Sequence, residues 1–220
     1  MRKITISDEL TGKVSELQLS CILCNVVPVP VNVQLWDVIQ QKINEIASTI
    51  SIEQISRLPA ISASRKAYKA CGKDPARYRL SAEALLRRVV NRNELYQINN
   101  VVDALNLVSI STGFSIGGYD DDKIEGDVVF GIGQPGEPYS GIGRGELNIE
   151  GMPVFRDAKG AFGTPTSDSE RTSVTLETKR FLMIIIDYAA TPLLDEATKL
   201  AKDLLVQFAW ATNFEIKYIQ

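Results

Sequence analysis

The chain has 220 residues, 45% of them hydrophobic and 23% charged, with a formal net charge of −3. That length suits a substantial core, in one large domain or two small ones, and the balance is that of an ordinary globular protein. No run reaches the roughly 18 apolar residues of a membrane span, and there is no excess of Lys and Arg for general phosphate neutralisation. The absence of histidine removes Ser-His-Asp, Cys-His and histidine-zinc chemistry.

Residues 1–5 lack the apolar core of a secretory signal. Three cysteines, Cys21, Cys24 and Cys71, do not make a disulfide framework, so a cytoplasmic location is expected. Residues 16–27 are rich in Leu, Ile, Val and Cys and read as a strand, which stops at Pro28-Val29-Pro30 because proline cannot donate to a ladder. Trp36, Ile39, Ile43 and Ile46 recur at helical intervals. Pro59 opens a further helix after a cap at Ser56 or nearby, and Gly72 and Pro75 end it. Ser81 is expected to cap a helix carrying Ala82, Leu85, Leu86, Val89 and Val90 on one face. Ile98, Val101, Val102 and Leu105 repeat that spacing up to Gly113.

Glycine and proline then cluster up to about residue 168, with short strand-like runs at 127–132 and 152–155 and a turn at Asp157-Ala158-Lys159-Gly160. The apolar run 181–186 suits a buried strand. Thr191-Pro192 begins a last helix, and Phe214, Ile216 and Tyr218 alternate on a closing strand. Helices, then mixed strands, then a helix and a strand predict an α+β fold.

Three local motifs compete with plainer readings. Gly131-Ile132-Gly133-Gln134-Pro135-Gly136 matches G-x-G-x-x-G, but Glu137-Pro138 follows where a phosphate-binding helix must start, so a glycine-rich hairpin is expected. Cys21 and Cys24 have C-x-x-C spacing inside a strand, where residues three apart face opposite ways, and are expected to be buried apolar groups. Arg77, Arg79, Arg87, Arg88 and Arg92 form either a basic patch or the solvated face of a helix. Residues 163–178 are dense in hydroxyls, with Asp168, Glu170 and Arg171 among them. They suit a pocket that binds a zwitterionic or phenolic ligand or orients a water, but composition alone favours a solvated loop whose side chains cap turns.

Three ordered blocks resemble a known family. The first runs from Arg87-Arg88-Val89-Val90-Asn91 into Ile98-Asn99-Asn100-Val101-Val102-Asp103-Ala104-Leu105-Asn106. The second is Gly113-Phe114-Ser115-Ile116-Gly117-Gly118-Tyr119-Asp120 followed by Asp122-Lys123-Ile124-Glu125-Gly126-Asp127. The third is Asp168-Ser169-Glu170-Arg171-Thr172-Ser173-Val174-Thr175 with Leu176-Glu177-Thr178-Lys179. Together they resemble the B3/B4 (editing-type) region of the phenylalanyl-tRNA synthetase beta subunit, most clearly over about residues 57–190. The resemblance implies one B3/B4-like unit over residues 1–220, a free-standing mixed β-sheet flanked by helices.

In the synthetase this region hydrolyses mischarged tyrosyl-tRNA, a second sieve needed because an apolar pocket rejects an added hydroxyl poorly. Carried over by residue, the resemblance implies a cleft formed by Asn106, a Gly117-Gly118 turn and the loop around Asp168. The expected activity is deacylation of mischarged aminoacyl-tRNA in trans, with RNA binding. Asp168, Gly117 and Gly118 are the expected catalytic groups, the glycines as oxyanion donors. Asn106, Asp168 and Arg171 are expected to bind substrate, although Arg171 equally suits a structural ion pair with Asp168 or Glu170. The alternative is a non-catalytic module that binds tRNA or a free amino acid. No metal and no cofactor is expected, and no membrane partner. Where the family pattern often carries histidine and threonine, this chain has Gly117 and Leu105, so tyrosine specificity does not transfer directly.

Overall fold

The computed structural model describes residues 1–220 as an α+β fold. The first half runs β1 (Ile4–Ile6), α1 (Asp8–Lys13), β2 (Gln18–Asn25), α2 (Val33–Thr49), α3 (Ile52–Ile55), α4 (Pro59–Ala70), α5 (Ser81–Val90) and α6 (Asn100–Thr112). There follow β3 (Ser115–Asp120), β4 (Val128–Ile132), β5 (Ser140–Gly141), β6 (Gly145–Glu146), β7 (Pro153–Asp157), β8 (Gly160–Gly163), β9 (Arg180–Asp187), α7 (Leu193–Ala209) and β10 (Thr212–Ile219). No helix is long and apolar enough to cross a membrane.

The organising element is an antiparallel sheet in the order β10-β2-β9-β3. Its inner strands are covered on both faces, which is why β9 reads as an unbroken apolar run instead of an alternation. Phe181, Met183 and Ile185 face a helical layer together with Ile22 and Cys24 of β2, against Leu35, Leu86, Val101, Leu105 and Leu205. Leu182, Ile184 and Ile186 point the other way, with Leu19, Cys21 and Leu23, into a core shared with a second sheet. That sheet has the order β1-β4-β7-β8, with β1 parallel to β4 and the other pairs antiparallel. A mixed sheet flanked by helices is thus resolved into two four-stranded sheets and a small β5-β6 pair, with helices over one face of the antiparallel four-stranded sheet. Cys21 and Cys24 fall in opposite cores, and burial pushes both thiols up to about 12, so they serve as apolar filling.

Local signals end most elements where expected. Gly113 takes a left-handed φ of 79° and closes α6, and Pro192 precedes α7. Gly133 and Gly136 lie in a glycine-rich loop with no helix after them. Three starts differ from the sequence reading. Ser56 follows α3 instead of capping α4, which begins at Pro59 after Leu58. Ser81 is the first residue of α5, not its cap. In α6 the side chain of Asn99 accepts from the N–H groups of Val101 and Val102, so the helix starts two residues after Ile98. Asparagine has the shorter, better-placed acceptor, and it takes the cap.

The arginines of α4 and α5 have a structural use. Glu83 is fully buried and accepts from Arg65 at 2.8 Å and Arg87 at 2.9 Å, with Arg79 at 4.0 Å. Breaking a buried pair leaves uncompensated charge. Replacing both Arg65 and Arg87 by Ala strands the buried Glu83 carboxylate and is therefore expected to cost about 3 kcal/mol, read as a lowered midpoint in urea denaturation.

Candidate functional site

The site lies where the edge strand β3, helix α6 and the 163–178 loop meet. β9 covers only one side of β3, so every second backbone N–H on the other side of this strand is free to reach outward. A cleft of about 250 Å³ opens there. Its apolar walls are Ile98, Val102, Leu105, Ile116, Ile142 and Val174, and its polar groups are Ser81, Asn106, Thr164, Ser167, Asp168 and Ser173, with Gly118 between them. A few placed polar groups in an apolar concavity is the usual composition of a small-ligand site.

Asp168 is the chemically distinctive group. Burial pushes its carboxyl up to about 7, while the Tyr119 hydroxyl and the backbone N–H groups of Gly118 and Thr164 pull it partly back. Tyr119 donates to Asp168 Oδ1 at 3.0 Å. At neutral pH the carboxyl is therefore poised between proton donor and acceptor, the condition that general acid–base chemistry favours.

The sequence also dictates how Asp168 is held. In β3 Tyr119 and Gly117 share a face, two residues apart, and the tip of the Tyr119 ring lies over Gly117. A Cβ on Gly117 would stand 2.1 Å from the Tyr119 oxygen, and one on Gly163 would stand 2.2 Å from it. The ring is fully buried and meets Phe162 edge-on at a centroid distance of 4.9 Å. Two further tyrosines fix the residues just before Asp168. Tyr68 hydrogen-bonds Thr166 Oγ1 at 3.0 Å, and Tyr139 donates to the Ser167 carbonyl at 2.6 Å. The Pro165 carbonyl accepts from the Ser81 N–H at 2.7 Å, so the start of α5 is tied to the same loop.

Asn106, Gly118 and Asp168 are thus brought to one cleft, Asn106 from the partly buried edge of α6. Gly117 and Gly118 do not form a turn: both lie in the extended strand β3, Gly118 toward the cleft and Gly117 toward the Tyr119 side. Glycine is required at both because neighbours occupy the space of a side chain, Leu105 and Phe181 at Gly118 and Tyr119 at Gly117. Arg171 is not in the cleft wall. It makes a two-pronged pair with Asp157 at 2.9 Å and 2.9 Å and reaches the Gly160 carbonyl, so its ion-pair partner is Asp157 and neither Asp168 nor Glu170. Burial alone would raise the Asp157 carboxyl, but Arg171 and the N–H groups of Glu125 and Lys159 outweigh it and hold it below the usual range. Ser169, Glu170 and Arg171 line a separate open hollow of about 810 Å³, whose Glu137 is already paired with Arg156 at 2.7 Å.

Sequence reasoning did not assign a site role to Tyr119 or Ser81, and it held Gly163 and Thr164 only as part of the 163–178 stretch. The Gly117-x-Tyr119 spacing inside a strand is the one local signal for the first; the others depend on which loop lies opposite.

Two outcomes test this geometry. Gly117→Ala is expected to cost about 2–3 kcal/mol, because the Tyr119 ring is blocked by Gly163 on its far side; chemical denaturation measures it. The second concerns pH. Asp168 binds its proton more tightly folded than unfolded, so its stabilising contribution is full below the unfolded value near pH 4 and is lost as pH rises through about 7. Asp168→Asn stays neutral and keeps an oxygen for Tyr119. It is expected to exceed the parent at pH 8 by about 2 kcal/mol, after allowance for partial exposure, and to match it near pH 4. Paired melts across pH read the difference.

A family profile described as the B3/4 domain matches residues 63–202. Among solved structures, the crystal structure of an N-terminal fragment of the phenylalanyl-tRNA synthetase beta-subunit from Pyrococcus horikoshii is similar at 14% identity and a TM-score of 0.48. The alignment covers 99% of this chain and 50% of that one, so the chain spans about half the length of that fragment. No curated protein matches the chain.

Proposed function

The chain belongs to the B3/4 domain family, and from that premise we propose that its cleft receives the aminoacyl end of a mischarged tRNA and hydrolyses the ester. The observation that carries the reading is Asp168: a carboxyl with a value near 7, at the wall of a cleft sized for one amino acid that Asn106 also lines. In this scheme the Asp168 carboxylate takes a proton from a water as its oxygen attacks the ester carbonyl carbon. The carbonyl oxygen gains negative charge and is met by the Asn106 amide, while the Gly118 N–H stays on the Asp168 carboxylate. The ester bond to the ribose oxygen then breaks, and Asp168 returns its proton to that oxygen.

The walls set the substrate class. Ile98, Val102, Ile116, Ile142 and Val174 suit an apolar or aromatic amino acid, and Leu105 fills the floor against Gly118. With Leu105 in the wall in place of a hydroxyl, selection rests on size more than on a hydrogen bond to a phenol. Arg171 acts in this scheme as a positioning residue: through Asp157 it anchors the downstream end of the loop that carries Asp168.

A panel of aminoacyl-tRNAs tests the reading. Deacylation of at least one apolar or aromatic member is expected, with kcat/KM rising with pH through about 7 as Asp168 ionises. Asp168→Asn is expected to lower it by about 10²-fold or more and Asn106→Ala by about tenfold. Binding without turnover by the folded parent would replace hydrolysis by simple recognition of the ligand.

A further inference from the structure

A second hollow, of about 580 Å³, adjoins the cleft across a single stretch of chain. Its lining includes Trp36, Gln40 and Asn44 from α2 and Arg92, Tyr96 and Gln97 from the connection between α5 and α6. Gln97 belongs to this hollow and the next residue, Ile98, to the cleft. Asp103 clamps the shared wall: one carboxylate oxygen accepts from Trp36 Nε1 at 2.8 Å and the other from the Ile98 N–H at 3.0 Å.

Tyr96 is 69% exposed, which is unusual for an aromatic side chain of a folded chain. It is not loose. The Arg88 guanidinium stands 4.3 Å from the ring centroid and its Nε donates to the Glu94 carbonyl at 2.6 Å, so one ring face is backed by a fixed cation and the other faces solvent. Arg92 occupies a left-handed φ of 59° just beyond the end of α5. Glycine holds that conformation at no cost, whereas arginine carries about 1 kcal/mol or more of strain there. The arginine side chain lines the hollow. Glu94 is the one carboxylate in the lining and Arg92 the one guanidinium, with Arg88 behind the Tyr96 ring.

We propose that this groove is a subsite for an unpaired nucleotide, its base stacked on the free face of Tyr96 and its phosphate facing Arg92. An aromatic platform backed by arginine, with carboxamides that can pair with a base edge, is the chemistry by which single-stranded nucleic acid is held. The carboxamides of Gln40, Asn44 and Gln97 supply the donors and acceptors. That the nucleotide belongs to the 3′ end of a tRNA rests on the reading of the cleft as the aminoacyl site. The shared wall then lets one strand place its terminal ester in the cleft while a preceding nucleotide lies in the groove.

Fluorescence anisotropy of a labelled cytidine-cytidine-adenosine trinucleotide, titrated with the whole chain, tests the subsite. The parent is expected to bind, Tyr96→Ala to weaken binding at least tenfold, Tyr96→Phe to retain it, and Arg92→Ala to weaken it and flatten its salt dependence. No binding by the parent, equal binding by Tyr96→Ala, or binding of a proline-rich peptide in place of the trinucleotide would overturn the proposal. Binding that depends on Tyr96 in a protein without deacylase activity keeps the subsite and removes the hydrolytic reading. Hydrolysis of aminoacyl-tRNA with unchanged KM in both the Tyr96→Ala and Arg92→Ala variants does the reverse.

Discussion

The hydrogen bond from Tyr119 to Asp168 is the constraint on which the site depends, and it exists because two glycines leave room for one ring. The tip of the Tyr119 ring enters between Gly117 and Gly163, from a strand of one sheet and the end of a strand of the other. Its hydroxyl therefore emerges at one place only, against the carboxyl of Asp168. A buried carboxyl without such a partner would be held more strongly in its neutral form, and one with several strong cationic partners would be ionised throughout the neutral range. One neutral donor and two backbone N–H groups leave it between these limits, near 7.

Stiffness around that bond comes from the same loop being held along its length. Tyr68 and Tyr139 take Thr166 and Ser167, the Ser81 N–H takes Pro165, and Arg171 ties the far end to the β7–β8 turn through Asp157. Burial raises the tyrosine hydroxyls well above their ordinary range, so all three stay protonated, and Tyr119 and Tyr139 remain donors. The double burial of β9 matters here as well. It makes the antiparallel sheet a rigid partition, with α6 and Asn106 on one side and the Tyr119 ring on the other, and β3 at its edge presents N–H groups to the cleft.

Different parts of this arrangement were legible to different degrees. The helices with one apolar face, the buried strand at 181–186 and the stop at Gly113 follow from periodicity and backbone preference, which are local properties. Helix starts were less legible, because Ser56 and Ser81 are capable caps that go unused: α4 and α5 start after Leu58 and Leu80. The Gly117-Gly118 pair reads as a turn by composition. It forms a strand because the missing side chains serve neighbours from elsewhere in the chain, Tyr119 on one face and Leu105 with Phe181 on the other.

The sequence by itself determined the α+β class, the opposed faces of Cys21 and Cys24, the lack of histidine chemistry and the family. Each depends on residue type, spacing and order along the chain. Only the tertiary structure decided that Asp168 is poised near neutrality, that Gly118 and Asn106 share its cleft, and that Arg171 serves Asp157 instead of it. A proton affinity depends on burial and on the groups that surround a carboxyl. At Asp168 those groups come from β3, the end of β8 and the loop itself, which meet only when the two sheets close on each other.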